Sequence, residues 1–259
     1  MRFDFATSWR RLAGWAVVAA LSAAGFASTG HASDRRGIVS LADAAKAFDD
    51  TALRVNSSAA TEIARWTGPI YVAIADRGGL AGHAGEIEAA IRSMAAIARV
   101  PVERVSMDDP RRNIAVRATT GGNSGLPTCR SHINWNDAGQ MVSVEVMVDL
   151  ETPSRVTRCI NHEVMHSFGF RAHPRGVVSV LSYSHTSQAA LTELDRVLLE
   201  TLYDARLQPN MSIATASVVG CGIIAEKIGA SAGDVATVCA NRGAKPAERV
   251  ALSETRVTH

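Results

Sequence analysis

The chain contains no run of basic residues: Lys and Arg number 27 against 25 Asp and Glu, and they are spread along the length. Without a Lys/Arg stripe or a recognised binding motif, a nucleic-acid partner is not expected. No CxxC pair occurs among the four cysteines, so a thiolate metal site is not expected either. No internal repeat is found. The loop Gly121-Gly122-Asn123-Ser124-Gly125 lacks the Lys and spacing of a phosphate cradle and reads as a surface connection. Nor is there a stretch apolar for long enough to span a membrane. The run Leu12 to Phe26 is shorter than the roughly 20 residues a spanning helix needs.

That run follows Arg10 and Arg11 and reads as the h-region of a secretory signal, with Gly30-His31-Ala32 as the small-x-small cleavage pattern and Ala27 as an earlier alternative. Export by the general or the twin-arginine route fits equally. A secreted or periplasmic location follows, with no membrane span once residues 1–32 are removed. In such a compartment Cys129, Cys159, Cys221 and Cys239 are expected to form two disulfides. Three connectivities exist. Cys129 with Cys159 and Cys221 with Cys239 are favoured because each pair closes a compact loop within its own region.

Helix and strand periodicities follow the signal. Ser40 precedes a capped helix with Leu41, Ala44, Ala45 and Phe48 on one face, either a first helix or part of a prosegment. Asp49 to Thr61 reads as a polar connection, and residues 33–65 as an N-terminal helix and linker. Pro69 to Ala75 reads as a buried strand, and a turn follows at Gly78 and Gly79. From His83 to Val100, Ile87, Ile91, Met94, Ala95 and Ala98 make a helical core stripe. Asn113 to Thr119 reads as a strand. In Met141 to Leu150 four valines alternate with more polar residues, a strand with one face buried and an exposed edge that could pair with an extended peptide. A helix from about Ser154 to Phe168 comes next, then a leucine stripe from Leu191 to Leu202 and a helical segment from Val218 to Ile228. The order strand, helix, strand, strand, helix implies an α/β (α+β) fold with an open sheet and the 154–168 helix packed beneath it. Residues 211–259 form a helical extension and a loosely ordered tail.

His162-Glu163-Val164-Met165-His166 lies on that helix. Two histidines four apart leave the same face, one turn from each other, and can converge on one metal ion. Gly169 permits the turn that brings His173 back as a third ligand, so His162, His166 and His173 are the candidate metal ligands. Three protein ligands leave a fourth position open, as in catalytic zinc sites. Glu163 beside them can take a proton from a water polarised by the metal. His185 is the other candidate for third ligand, disfavoured because it follows the Leu181 turn; otherwise it reads, like His132, as an ordinary exposed or hydrogen-bonded histidine.

The HExxHxxGxxxH pattern, followed by Ser179-Val180-Leu181-Ser182-Tyr183, resembles the metzincin zinc-endopeptidase clan. The longer spacing to His173 is similar to the archaemetzincin branch, although Pro174 stands where those proteins continue toward a second zinc. Leu181 occupies the position of the clan's methionine turn. The resemblance covers Pro69 to Tyr203. It implies a twisted mixed sheet over an active-site helix, a catalytic domain at about 66–210 with Zn(2+) as cofactor, and a peptide or protein substrate. It also implies a tyrosine role for Tyr183, touching the metal or stabilising the transition state. The chain resembles as well an uncharacterised bacterial family of secreted proteins in which the histidines are often replaced. The expected function is a secreted zinc-dependent metalloendopeptidase, with a non-catalytic cell-envelope binding protein on the same scaffold as the alternative.

Overall fold

A computed structural model describes residues 39–55, 58–59, 63–119, 129–151, 153–183, 189–209, 211–240 and 242. Residues 1–32, expected to be a secretory signal, the Gly121 to Gly125 loop, His185 and the tail beyond Arg242 lie outside the described residues. Six α-helices and a five-stranded, mostly parallel sheet make up the described part, the mixed α/β architecture expected from the sequence.

Helix α1 (Leu41–Ala52) begins where Ser40 Oγ accepts from the Asp43 amide, satisfying a first-turn donor that the helix itself cannot. It buries Leu41, Ala44, Ala45 and Phe48 as its periodicity requires. The helix runs on to Ala52, so the start of the expected 49–61 connection is helical; Thr51 and Ala52 are buried against the core. A two-stranded ribbon of β1 (Arg54–Val55) and β2 (Ser58–Ala59) follows.

The sheet contains β3 (Ile70–Ile74), β4 (Val102–Arg104), β5 (Ile114–Thr119), β6 (Arg130–Trp135) and β7 (Met141–Asp149) in the order β4-β3-β5-β7-β6. All pairs are parallel except β6 with β7, which form an antiparallel hairpin. Two strands of this sheet, β4 and β6, escape the sequence pattern because they are short and mostly exposed, with no apolar alternation to mark them. Their presence moves the edge. β7 sits between β5 and β6, so the exposed edge expected of Met141 to Leu150 belongs to β6 instead.

The alternation in β7 also changes phase. Ser143 pairs with Asn134 and Met141 with Trp135, which leaves Val142 as the extra residue of a bulge, 53% exposed while Met141 and Val144 are buried. From Val144 onward the valines face the core as expected.

Helix α2 (Ala84–Ala98) buries Ile87, Ile91, Met94, Ala95 and Ala98 and packs on α3 (Val156–His166), which in turn packs on β6 and β7. Helix α4 (Glu193–Leu202) starts in a capping box between Thr192 and Asp195 and buries Leu194, Leu198, Leu199 and Leu202. Helix α5 (Ile213–Ile228) is longer than its apolar segment predicts and packs on α1. Gly220 is required there: a Cβ would stand 2.7 Å from the Phe48 ring. The short α6 (Ala232–Val238) completes the order. Both expected disulfides are present, Cys129–Cys159 joining β6 to α3 and Cys221–Cys239 joining α5 to the end of α6. No helix among the described residues is long and apolar enough to cross a membrane.

Candidate metal centre

The site is built where α3 ends. Helix termini leave carbonyls without intrahelical partners. Here Trp66 Nε1 donates to Ser167 O at 2.8 Å and the Tyr203 hydroxyl donates to Phe168 O at 3.1 Å, so the last turn is tied to two other parts of the fold. Gly169 then reverses the chain at φ +105°, and its missing side chain is a second requirement: a Cβ would lie 2.2 Å from Ala64 O. The reversal carries Phe170, Arg171 and His173 back along the helix, as the glycine predicts.

His162 Nδ1 donates to Val180 O at 2.8 Å and His166 Nδ1 donates to Phe170 O at 2.6 Å. A neutral imidazole that donates at Nδ1 presents a lone pair at Nε2. Those two Nε2 atoms and Nε2 of His173 form a triangle with every side 3.1 Å. Two lone pairs turned toward each other repel, and a cation between them removes the conflict. Zinc–nitrogen bonds of about 2.0–2.1 Å in a tetrahedral set would put the nitrogens about 3.3 Å apart, so the donor set fits such an ion. These histidines are the one group of three or more potential ligands among the described residues.

The carbonyl that orients His162 is itself held. Ser179 to Ser182 form a turn closed by Ser182 N donating to Ser179 O at 3.0 Å. The fully buried Asp195 accepts from Val180 N at 3.0 Å, from Thr192 N at 2.8 Å, and from the hydroxyls of Ser179 at 2.5 Å and Thr192 at 2.8 Å. This carboxylate clamps the turn to the start of α4. Leu181 is fully buried in it.

Glu163 is buried beside the ligands. Its Oε2 accepts from Ser131 Oγ on β6 at 2.8 Å, and the same hydroxyl is 2.9 Å from Glu163 O. Burial pushes the Glu163 carboxyl up to about 7, with the Ser131 hydrogen bond opposing it. Burial and the neighbouring His166 hold His162 down to about 3, and the same two causes hold His173 at about 3. His166 is likewise lowered by burial. All three imidazoles are therefore neutral and able to ligate at ordinary pH.

Tyr183 is 65% exposed, and its ring stacks on that of His173 with centroids 3.9 Å apart. Burial of the hydroxyl and, next, the charge of Glu163 raise its pKa. The five residues singled out from the sequence thus line one cleft of about 380 Å³, together with His132 and much of β6. Sequence reasoning missed Ser131, Arg130, Trp135 and Arg171, all on the cleft wall. Arg171 was hidden in the motif itself. Its guanidinium lies 5.1 Å from the Trp135 ring centroid, and its Nη2 donates to Ala52 O at 2.9 Å.

Fold and site together define an α/β protein with a buried three-histidine cluster capable of holding a metal ion. The chain belongs to the family described as "Protein of unknown function (DUF2927)", which it matches over residues 42–219, a span that includes all five residues. None of the curated proteins matches it.

Proposed function

We propose that the protein is an exported zinc-dependent endopeptidase of metzincin type. The observation that carries this reading is the convergence of three lone-pair nitrogens on one point, with a buried carboxyl beside them in a cleft walled by an edge strand. Zinc held by His162, His166 and His173 would supply Lewis acidity toward a water and a peptide carbonyl. An extended substrate would lie along the outer edge of β6, the end strand of the sheet among the described residues, where main-chain hydrogen bonds can hold it. Glu163, held by Ser131, takes the proton of the attacking water and returns it to the leaving amine. Tyr183, which lines the cleft, would donate from its hydroxyl to the developing oxyanion.

Export fits the two disulfides, crosslinks that persist in oxidising compartments, and the signal-like residues 1–32. The test is a broad peptide-library digest by the zinc-loaded protein, with Glu163→Gln as the control. Cleavage by the native chain alone is expected; equal cleavage by both, or by neither, refutes the reading.

A further inference from the structure

Of the described tryptophans, tyrosines and phenylalanines, only Trp135 and Tyr183 are exposed, and both line the cleft. Tyr183 stacks on His173. Trp135 has no part in the chemistry above, yet its indole is 41% exposed and forgoes burial that a bound apolar group would restore.

The register of β6 determines where that indole points. Trp135 pairs with Met141, Ile133 with Val144 and Ser131 with Val146, and all three partners are buried. Paired residues share a face of the sheet, so Ser131, Ile133 and Trp135 stand on the side that carries α3. Two contacts agree. Ser131 bonds to Glu163 on α3, and the Arg171 guanidinium just beyond that helix lies 5.1 Å from the Trp135 ring centroid. The extra residue of the bulge, Val142, belongs to β7, so the alternation of β6 is unbroken. Ser131 holds the carboxyl, Ile133 packs on the core, and Trp135 faces the cleft. Arg171 also backs the indole, because its Nη2 is fixed on Ala52 O at 2.9 Å while its cation lies over the ring.

A peptide paired with the outer edge of β6 advances by the same rise, about 3.3 Å per residue. Four positions, about 13 Å, separate Ser131 from Trp135, and an even number returns a side chain to the same face. The peptide residue opposite Trp135 is therefore in phase with the one opposite Ser131, beside Glu163, and four places from it.

We propose that Trp135 determines specificity by taking a large apolar side chain, aromatic above all, about four residues from the bond presented to the histidine cluster. This rests on the peptidase reading for its substrate but concerns recognition, which can be measured without turnover.

The experiment uses the zinc-loaded Glu163→Gln protein and three labelled peptides of about twelve residues, long enough to reach four places either way from the middle. They are identical and without aromatic residues, except that the middle residue is phenylalanine, leucine or glutamine. Fluorescence anisotropy should show the phenylalanine peptide binding about ten times more tightly than the glutamine peptide, the scale of one aromatic contact, with leucine between them. Adding Trp135→Ala should abolish the preference. Trp135→Phe, which keeps an aromatic face, should retain most of it. The phenylalanine peptide should also shield Trp135 from quenching by acrylamide, since the other tryptophan outside residues 1–32, Trp66, is already buried.

Equal affinity for the three peptides, no binding of any, no shielding, or a preference that survives Trp135→Ala overturns the proposal. The native protein should cut the phenylalanine peptide about four residues from the aromatic side chain, which mass spectrometry of the products reads. Cleavage of all three alike, at bonds unrelated to the middle residue, would sink this inference and leave the peptidase reading intact. A Trp135-dependent preference in binding with no cleavage by the native protein would do the reverse.

Discussion

Ser131 on the edge strand holds the carboxyl of Glu163 through a 2.8 Å hydrogen bond. The group proposed as the base is thus oriented by the same strand proposed to hold the substrate. Ser131→Ala should leave zinc content unchanged and lower kcat by about tenfold, less than the roughly 100-fold or greater loss expected of Glu163→Gln. Ser131→Thr, which keeps the hydroxyl, should restore most of it. Steady-state kinetics of the three variants, with zinc measured in each, tests the role; a zinc loss matching the rate loss would count against it.

The purified protein should carry about one zinc per chain, as a three-histidine site predicts. His173→Ala should weaken zinc strongly in competition with a chelator, and His185→Ala should leave it nearly intact. Elemental analysis that finds no tightly held transition metal after zinc-supplemented expression would defeat the assignment.

Gly169→Ala should be among the most damaging single substitutions. It adds a Cβ 2.2 Å from a main-chain oxygen at a backbone angle that side chains rarely adopt, so a loss of about 3 kcal/mol or more is expected. Denaturant unfolding with and without zinc measures it. A midpoint close to that of the native chain would show that the 63–66 segment can yield.

Acid should destabilise the metal-free protein. Burial and His166 depress His162 and His173 to about 3, and burial lowers His166 too. Unfolded histidines titrate near about 6.5, so below that pH the unfolded chain binds more protons. This contribution to stability is complete above about 6.5 and is lost as pH falls toward 3. Glu163 works in the other direction: its pKa is raised from 4.5 to about 7, so its contribution is complete below 4.5 and fades as pH rises through 7. Three imidazoles outweigh one carboxyl. The urea midpoint should be lower at pH 5 than at pH 7, and a higher one at pH 5 would contradict the burial argument.

Reduction of Cys129–Cys159 should cost roughly 3–4 kcal/mol by the loop-entropy relation for a closure of this length. Cys129→Ser with Cys159→Ser, compared with the native chain by thermal unfolding, measures it. No loss of Tm would mean that the hairpin is held on α3 by packing alone.

Much of the site was legible because its ligands are local. His162, His166 and His173 stand in one short segment, where helical spacing and a single glycine determine their geometry. The core helices were legible for a similar reason: Ile87, Ile91 and Met94 repeat at a helical period. What local patterns could not carry was the outer edge of the sheet. Arg130 to Trp135 has two partly buried residues, Ser131 and Ile133, too few to reveal a strand. Ser131 was invisible for that reason: a serine gains meaning only when a distant carboxyl is placed against it. Val142 misled because a bulge is a property of two strands.

The locality of the ligands bears on the order in which the chain assembles. From the first to the last lie eleven positions, closed by a helix and one turn, whereas β5 must find β7 across roughly thirty residues, a slower search by chain entropy. A nascent helix with its turn can therefore capture an ion before the sheet has closed. Capture at that stage would bias the chain toward the helical conformation and seed the remainder. On the peptidase reading, Ser131, 32 positions from Glu163, would join the site only when the hairpin docks, so an ion could be captured before the proposed base is held in place.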